Sequence, residues 1–466
     1  MKKNVYFSCT LFFSVACVVL LGMNPVPSSM AATQTQQEEV SGKARVIRYI
    51  SSLPAHEGQT CYGLVLADDN GIPVKVRALS DHSPALCYAG ESPHAQPRLM
   101  KWAFKAATVV SNGKENDRIN GLFEILPQDR LSEVILPPVA ISTVELDKLQ
   151  RVVIGAGMNY AEHRDEVGLD PAGALLLFPK PVVPTGPYAP VRAGVQIGEI
   201  PARPVLLLDY EVELGLVLLE DLDLYRLPPS YDAFIDKVAF FVANDVSDRE
   251  PIILDDQNGY TRGKSHPTYL PVGPWMVHGS QLRPRTMNEG DHSLRVGLEV
   301  YEAAPSSGNL QNRQRAITDA MLHGPWAIIG HMSERLARGE IICMRDPHGN
   351  PRYLHNAEGV IPAGSVILTG TPGGTAIRKP SLLQKAELFL RGGFSLERAR
   401  EIFIQDAERD IAAAAYLEAG DRVESWVEYL GRQRWSVVAE DKHEPYGVIS
   451  AGACEPGSRP HPLSPQ

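Results

Sequence analysis

Leu208-Asp209-Tyr210-Glu211-Val212-Glu213-Leu214 lies within a run of valines and leucines from Val205 to Leu219 that favours a β-strand. Successive side chains on a strand alternate faces, so Asp209, Glu211 and Glu213 point one way while Tyr210, Val212 and Leu214 point the other. Acids at this spacing are roughly 7 Å apart in succession and are costly to bury unpaired. A hard cation would resolve that conflict, and oxygen-only ligands favour Mg²⁺, Mn²⁺ or Ca²⁺ over zinc. A solvated polar face on an amphipathic strand is the other reading of the same heptapeptide, and taken alone it leaves both open.

Outward from this strand, further β-like runs follow: Arg151 to Ile154, Val238 to Ala243, Leu294 to Tyr301 and Ser365 to Leu368, punctuated by Gly and Pro. They do not alternate with long helices, which excludes a Rossmann-type sheet and indicates a mainly β fold with some helix, of the α+β class. Upstream, Tyr62 to Ala67 and Pro73 to Leu79 flank an Asp69-Asn70-Gly71 turn, so residues 33–145 read as a small β-rich domain interrupted by a helical patch, Ala95 to Val110. Residues 146–440 form a second domain. Into it a helical segment, 376–415, is inserted: Ser381 to Leu417 is rich in Leu, Ala, Glu and Arg, and Leu396, Ala399, Phe403, Ala407 and Ile411 form one stripe after a Gly392-Gly393 turn. The Pro/Ser-rich end, 441–466, reads as a flexible tail.

The chain has 466 residues, 44% hydrophobic and 21% charged, with a formal charge of -10. That balance argues against a nucleic-acid partner. Lys2 and Lys3, an apolar stretch from Val5 to Met23 and Ser29-Met30-Ala31 have the form of a signal peptide over 1–32. An exported protein, periplasmic or extracellular, is the expectation, with membrane contact only if this segment stays uncleaved. Residues 33–42 would be a flexible lead. Cys61, Cys87, Cys343 and Cys454 then remain, at spacings that resemble no zinc site, and in an oxidising compartment Cys61 and Cys87 could pair.

Two further pieces carry chemistry. Asn244-Asp245-Val246-Ser247-Asp248-Arg249 ends an apolar run, and a carboxylate at a strand end can complete a metal site begun on a neighbouring strand, or simply cap a turn. In Met158-Asn159-Tyr160-Ala161-Glu162-His163-Arg164-Asp165-Glu166, a helix would set His163 and Glu166 at i and i+3 on one face. A carboxylate on one imidazole nitrogen fixes the tautomer and raises basicity, as a general base requires, although a lone histidine is more often structural.

In order along the chain, these pieces resemble the fumarylacetoacetate hydrolase family. The resemblance runs from about Leu136 to Val438 and includes Phe178-Pro179-Lys180-Pro181, Arg262-Gly263-Lys264-Ser265 with Pro271-Val272-Gly273-Pro274, and Ile361-Pro362-Ala363-Gly364-Ser365 running into Thr369-Gly370-Thr371-Pro372-Gly373-Gly374. It implies a mixed β-sandwich roll, Glu211, Glu213 and Asp245 as metal ligands, and His163 and Glu166 as the base pair. Lys264 would stabilise an enolate or oxyanion, with Tyr160, Arg249 and Thr371 as substrate contacts. Without the surrounding motifs, Lys264 would read as a solvated charge and Thr371 as a turn residue. The resemblance also implies a small oxo-acid substrate and a homodimer.

The expected reaction is metal-dependent carbon–carbon hydrolysis of a 1,3-dioxo or 2-oxo acid. Decarboxylation or isomerisation on the same site, or oxo-acid binding without turnover, are the alternatives. Two positions depart from the family pattern. Glu250-Pro251-Ile252 stands where a glutamine is usual, and His266-Pro267 replaces an aromatic–Asp pair; His266, in a loop, is expected to be structural or exposed. The inserted helices follow the Thr371 loop and would serve as a lid, a subunit contact or surface decoration.

Overall fold

A computed structural model describes residues 43–90, 96–112, 121–167, 174–194, 205–302, 310–409, 415–439 and 454. The signal-peptide, lead and most of the tail assignments lie outside these residues. Fifteen strands carry the argument. They are β1 (Arg45–Ile50), β2 (Thr60–Asp69), β3 (Ile72–Ala78), β4 (Phe123–Ile125), β5 (Val153–Gly157), β6 (Leu176–Pro179), β7 (Val191–Arg192) and β8 (Val212–Leu218). The rest are β9 (Val238–Asn244), β10 (Trp275–His278), β11 (Arg295–Tyr301), β12 (Leu310–Ile317), β13 (Val366–Leu368), β14 (Arg422–Val427) and β15 (Gly431–Val438).

The larger sheet runs β4-β3-β2-β1-β10-β9-β8-β13-β5-β6, with Cys87–Tyr88 paired to β2. A second sheet runs β12-β11-β14-β15-β7. Side-chain alternation on β8 explains the layering. Val212, Leu214, Leu216 and Leu218 face a core shared with Val296, Leu298 and Val300 of β11 and Trp435 of β15. Val217 faces the opposite way, into a core with Leu99, Met100, Ala103 and Phe104 of helix α1 (Gln96–Asn112). The large sheet is thus covered by the second sheet on one face and by a helix on the other.

The anticipated Asp69-Asn70-Gly71 turn joins β2 to β3, and Asn70 and Gly71 both take positive φ, as a tight hairpin of the right twist demands. Strands β1 to β4 continue the larger sheet through the β1–β10 pairing, so residues 45–125 and the later strands share one sheet. Cys61 and Cys87 lie opposite each other in register and are disulfide-bonded. A second disulfide joins Cys343 and Cys454.

Two local readings need correction. The Val205–Leu219 run is not one strand: Leu208–Asp209 pairs with Ser247–Asp248, and the chain bends at Tyr210-Glu211 before β8. The helical segment does form two helices, α6 (Leu382–Arg391) and α7 (Leu396–Arg409), numbered after α2 (Ala161–Val167), α3 (Arg249–Leu254), α4 (Gly259–Lys264) and α5 (Pro325–Ala337). Its buried positions on α7 are Ala399 and Ile404, however, and Leu396 is 63% exposed, because Ile404 packs into a small cluster with Leu207, Ala376 and Tyr416. Ile411 lies outside the described residues.

Candidate active site

Four strand ends meet at one edge of the larger sheet. β8 runs antiparallel to both β9 and β13, and β5 runs parallel to β13, so the start of β8 meets the ends of the other three. The register pairs Val212 with Asn244, which puts Glu211 beside Asp245 on the next step; the Asp245 amide donates to Glu211 O at 2.8 Å, and the Glu211 amide donates to Asn244 Oδ1 at 3.1 Å. On the other flank, the chain leaving β13 brings the Gly370 amide to Glu213 Oε2 at 2.6 Å. The chain leaving β5 turns into α2, which carries His163 and Glu166.

Glu211, Glu213 and Asp245 are all buried, and one carboxylate oxygen from each lies within 4.8 Å of the others. Lys264 bridges two of them, with Nζ 2.7 Å from Glu211 Oε2 and 2.8 Å from Asp245 Oδ2. Arg249 Nη2 approaches Glu211 Oε1 at 2.6 Å. Burial raises the Glu211 pKa, but Lys264 and Arg249 outweigh it and hold the carboxyl down to about 2. Glu213 behaves oppositely. Burial first, then the neighbouring Asp245 and Glu211, push it well above the ordinary carboxylate range. Gly370 supplies its one recorded hydrogen bond among the described residues. An all-oxygen set of three buried carboxylates, one left short of positive partners, suits a hard divalent cation, so these residues fit such an ion.

His163 Nδ1 lies 3.7 Å from Glu166 Oε2, in electrostatic contact but beyond hydrogen-bond length. The Gly374 amide donates to both Glu166 oxygens, at 3.0 and 2.9 Å, and Arg378 Nη1 is 3.6 Å away. Against its partial burial, His163, Gly374 and Arg378 lower the Glu166 pKa. His163 is near enough to Glu211 to help hold that carboxyl down. The Tyr160 hydroxyl is buried, has no hydrogen-bond partner among the described residues, and is disfavoured as a phenolate by burial and then by Glu213.

Thus His163, Glu166, Lys264, Tyr160, Arg249, Glu211, Glu213 and Asp245 gather at one sheet edge, and Thr371 joins them from the loop after β13. Arg249 and Thr371, expected to face substrate, are engaged within the protein. Arg249 Nε donates to Asp209 Oδ2 at 2.8 Å. Thr371 Oγ1 donates to Val212 O at 3.0 Å and accepts from Gln314 Nε2 at 2.8 Å. Asp209, expected on one strand face with Glu211 and Glu213, does not join the metal-type triad. The bend at Tyr210-Glu211 sends it to the amides of Ala376 and Ile377, at 2.8 and 3.1 Å.

Of the two placements expected for His266, structural or exposed, the structural one holds: the residue is buried. Burial brings its pKa down to about 3, and its ring packs on Tyr269 with centroids 4.9 Å apart. Lys180 is the residue whose role the sequence reading missed: Nζ donates to Asp245 Oδ1 at 2.5 Å and to Lys264 O at 2.6 Å, and burial lowers its pKa to about 8. The Phe178-Pro179-Lys180-Pro181 motif flagged the stretch but not this contact. Phe178 itself lies over Gly155, where an added Cβ would come within 2.1 Å of the ring. Gln314 had no local signal at all, coming from β12 of the other sheet to accept from the Val212 amide at 2.9 Å.

Residues 152–438 match the family described as the fumarylacetoacetate (FAA) hydrolase C-terminal domain. A Mycobacterium tuberculosis protein is 31% identical over 203 residues, 42% of this chain and 65% of that one. A Burkholderia multivorans protein, named only provisionally as a hydrolase, is 31% identical over 228 residues, 47% of this chain and 70% of its own. Among solved structures, a fumarylacetoacetate hydrolase from Exiguobacterium antarcticum is 20% identical with a TM-score of 0.48, covering 85% of this chain and 100% of that one. A 5-carboxymethyl-2-hydroxymuconate delta-isomerase from Mycobacterium smegmatis is 19% identical with a TM-score of 0.44, at 85% and 100% coverage.

Proposed function

Because this chain belongs to the fumarylacetoacetate hydrolase family, we propose that it is a divalent-metal-dependent hydrolase that cleaves a carbon–carbon bond in a 1,3-dioxo or 2-oxo acid. The observation that carries this reading is the buried Glu211, Glu213 and Asp245 triad beside a His163–Glu166 pair. A Mg²⁺, Mn²⁺ or Ca²⁺ ion held by the three carboxylates would supply Lewis-acid polarisation of a substrate carbonyl.

The protein's own groups account for the proton movements. Glu166 stays anionic and faces Nδ1 of His163, leaving Nε2 to take a proton from water. The water oxygen bonds to the carbonyl carbon, and the adjacent carbon–carbon bond breaks. Its electron pair delocalises onto the leaving fragment as an enolate, and the proton held by His163 returns to that fragment's carbon. The Lys264 ammonium, kept charged by Asp245 and Glu211 despite burial, offsets the negative charge that develops.

The test is loss of acylpyruvate absorbance by the purified chain with each metal, with products weighed by mass spectrometry. Hydrolysis adds one water and gives two acids, decarboxylation loses CO₂, and isomerisation leaves the mass unchanged. His163→Ala should slow turnover about 10²–10⁴-fold while metal still binds. No turnover with any of the three metals on acylpyruvates or oxaloacetate would sink the enzyme reading and leave an oxo-acid-binding protein.

We further propose that the protein works outside the cytosol and as a homodimer. The two disulfides support an oxidising compartment. N-terminal sequencing of protein from intact cells should find a chain starting near residue 32, and light scattering should give twice the chain mass. A full-length cytosolic monomer would contradict both.

A further inference from the structure

The α6–α7 hairpin stands on residues 375–380, a loop that also grips the helix of the His–Glu pair. The Lys379 amide donates to Glu166 O at 2.7 Å, and Lys379 Nζ donates to Asp165 Oδ1 at 2.8 Å. Between this loop and the two helices lies a cavity of about 620 Å³. Ile253 and Ile377 from the body, with Leu388, Ala399 and Phe403 from the hairpin, give it an apolar wall. Its volume falls within the roughly 300–1,000 Å³ of small-molecule pockets.

Among the described residues, every charged side chain lining the cavity is a cation: Arg378, Lys379, Lys385 and Arg400. Lys379 and Arg400 have carboxylate partners, Asp165 and Asp256, that do not line it. Lys385 is exposed and has no carboxylate partner among the described residues. Arg378 approaches Glu166 at 3.6 Å, and its Nη1 also donates to the carbonyls of Thr375 and Ile377, so its only carboxylate neighbour among the described residues is a distant one. An apolar wall is satisfied by an apolar occupant, and a rim of cations by an anion. One molecule carrying both features meets the whole lining.

We propose that this cavity is a binding site for an amphipathic monocarboxylate, with its alkyl or aryl tail against Leu388, Ala399 and Phe403 and its carboxylate on Lys385 and Arg378. Arg378 then turns from Glu166 toward the ligand. Occupancy and the state of the His163–Glu166 pair are thereby coupled, and coupling of this kind is reciprocal.

Titration of the full chain with decanoate, kept below its self-association concentration and followed by calorimetry, tests the site without reading turnover. A failure here is therefore distinct from a failure of the proposed reaction. Saturable binding of one decanoate per chain is expected, at least tenfold weaker for decanol and for the Lys385→Gln variant, and lost in Ala399→Phe, which fills the cavity. Lys385 is exposed, so its variant stays informative if Ala399→Phe does not fold. The proposal is overturned by absence of saturable binding, by equal binding of decanol or decylamine, or by indifference to Lys385→Gln. It is overturned equally if the hairpin binds only anionic phospholipid vesicles, or if a second copy of the chain covers the cavity and decanoate does not compete.

Discussion

Around the start of β8, the charged groups Glu211, Glu213, Asp245, Lys180, Lys264 and Arg249 are withdrawn from water. On the α6–α7 hairpin, by contrast, Leu382, Leu383, Leu390 and Phe394 are between 62% and 85% exposed. Both regions invert the usual partition of polar and apolar groups. At the sheet edge the inversion is maintained by pairing: Lys180 and Lys264 share Asp245, and Lys264 and Arg249 share Glu211, which makes that region rigid and mutually dependent. On the hairpin nothing among the described residues covers the leucines, and Ile404 anchors α7 to a small cluster. Buried charge of this kind marks where chemistry is carried out, whereas uncovered apolar surface marks where something else binds.

The sharpest way to probe this contrast is to remove one carboxylate. Glu211→Ala leaves Lys264 and Arg249 buried with one partner fewer, and should cost about 3–5 kcal/mol in chemical denaturation, as breaking a buried ion pair typically does. Glu213→Gln should differ: it removes a charge that its neighbours already disfavour, so the metal-free protein should keep its melting temperature while metal affinity in calorimetry falls. Equal destabilisation by both variants would break the distinction drawn between the two glutamates.

Next in size is the anchor of the hairpin. Ile404→Ala should cost about 2–5 kcal/mol if the hairpin unfolds with the body, by loss of buried methyl groups. If instead hydrogen exchange shows α6 and α7 opening alone, with the global melting point unchanged, the hairpin is an independent unit. Exposed Leu382→Ser should alter stability by less than about 0.5 kcal/mol while raising solubility, since surface changes away from special features have small effects. A large loss there would mean that the leucine is covered in solution.

The smallest expected effect is in acid. Glu166 titrates below the ordinary glutamate value of about 4.3. The unfolded chain therefore takes up that proton more readily than the folded one. Its stabilisation is complete above about pH 4.3 and is lost as pH falls through the lower folded value. Glu166→Gln should flatten that part of the stability–pH curve, as followed by urea denaturation at successive pH values. An unchanged acid limb would mean that Gly374 and Arg378 do not hold the carboxylate in solution.

Much of this was legible from local pattern. The Asp-Asn-Gly hairpin and the two inserted helices follow from turn chemistry and periodicity, which act over a few residues. The Asp209, Glu211 and Glu213 alternation identified an acidic face, and the order of motifs identified the other members of the site. Where local reading failed, a distant contact had intervened. The strand bends at Tyr210-Glu211 because Leu208–Asp209 pairs with Ser247–Asp248, and this takes Asp209 away to the Ala376 and Ile377 amides. Arg249 and Thr371 look available in sequence, but Asp209 and Gln314 engage them. For His266 the sequence left a structural and an exposed placement open, and packing against Tyr269 selects the structural one.

By itself, then, the sequence determined which residues carry charge, how they alternate along a strand and where the chain must turn, because those properties depend on side-chain type and short-range sterics. Only the tertiary structure decided which carboxylates share one space. Glu211 meets Asp245 through the antiparallel register of β8 and β9, Lys180 arrives from β6's end, and Gly370 from the chain after β13. Register and long-range pairing are fixed by the packing of the whole core, and no local stretch of sequence contains them.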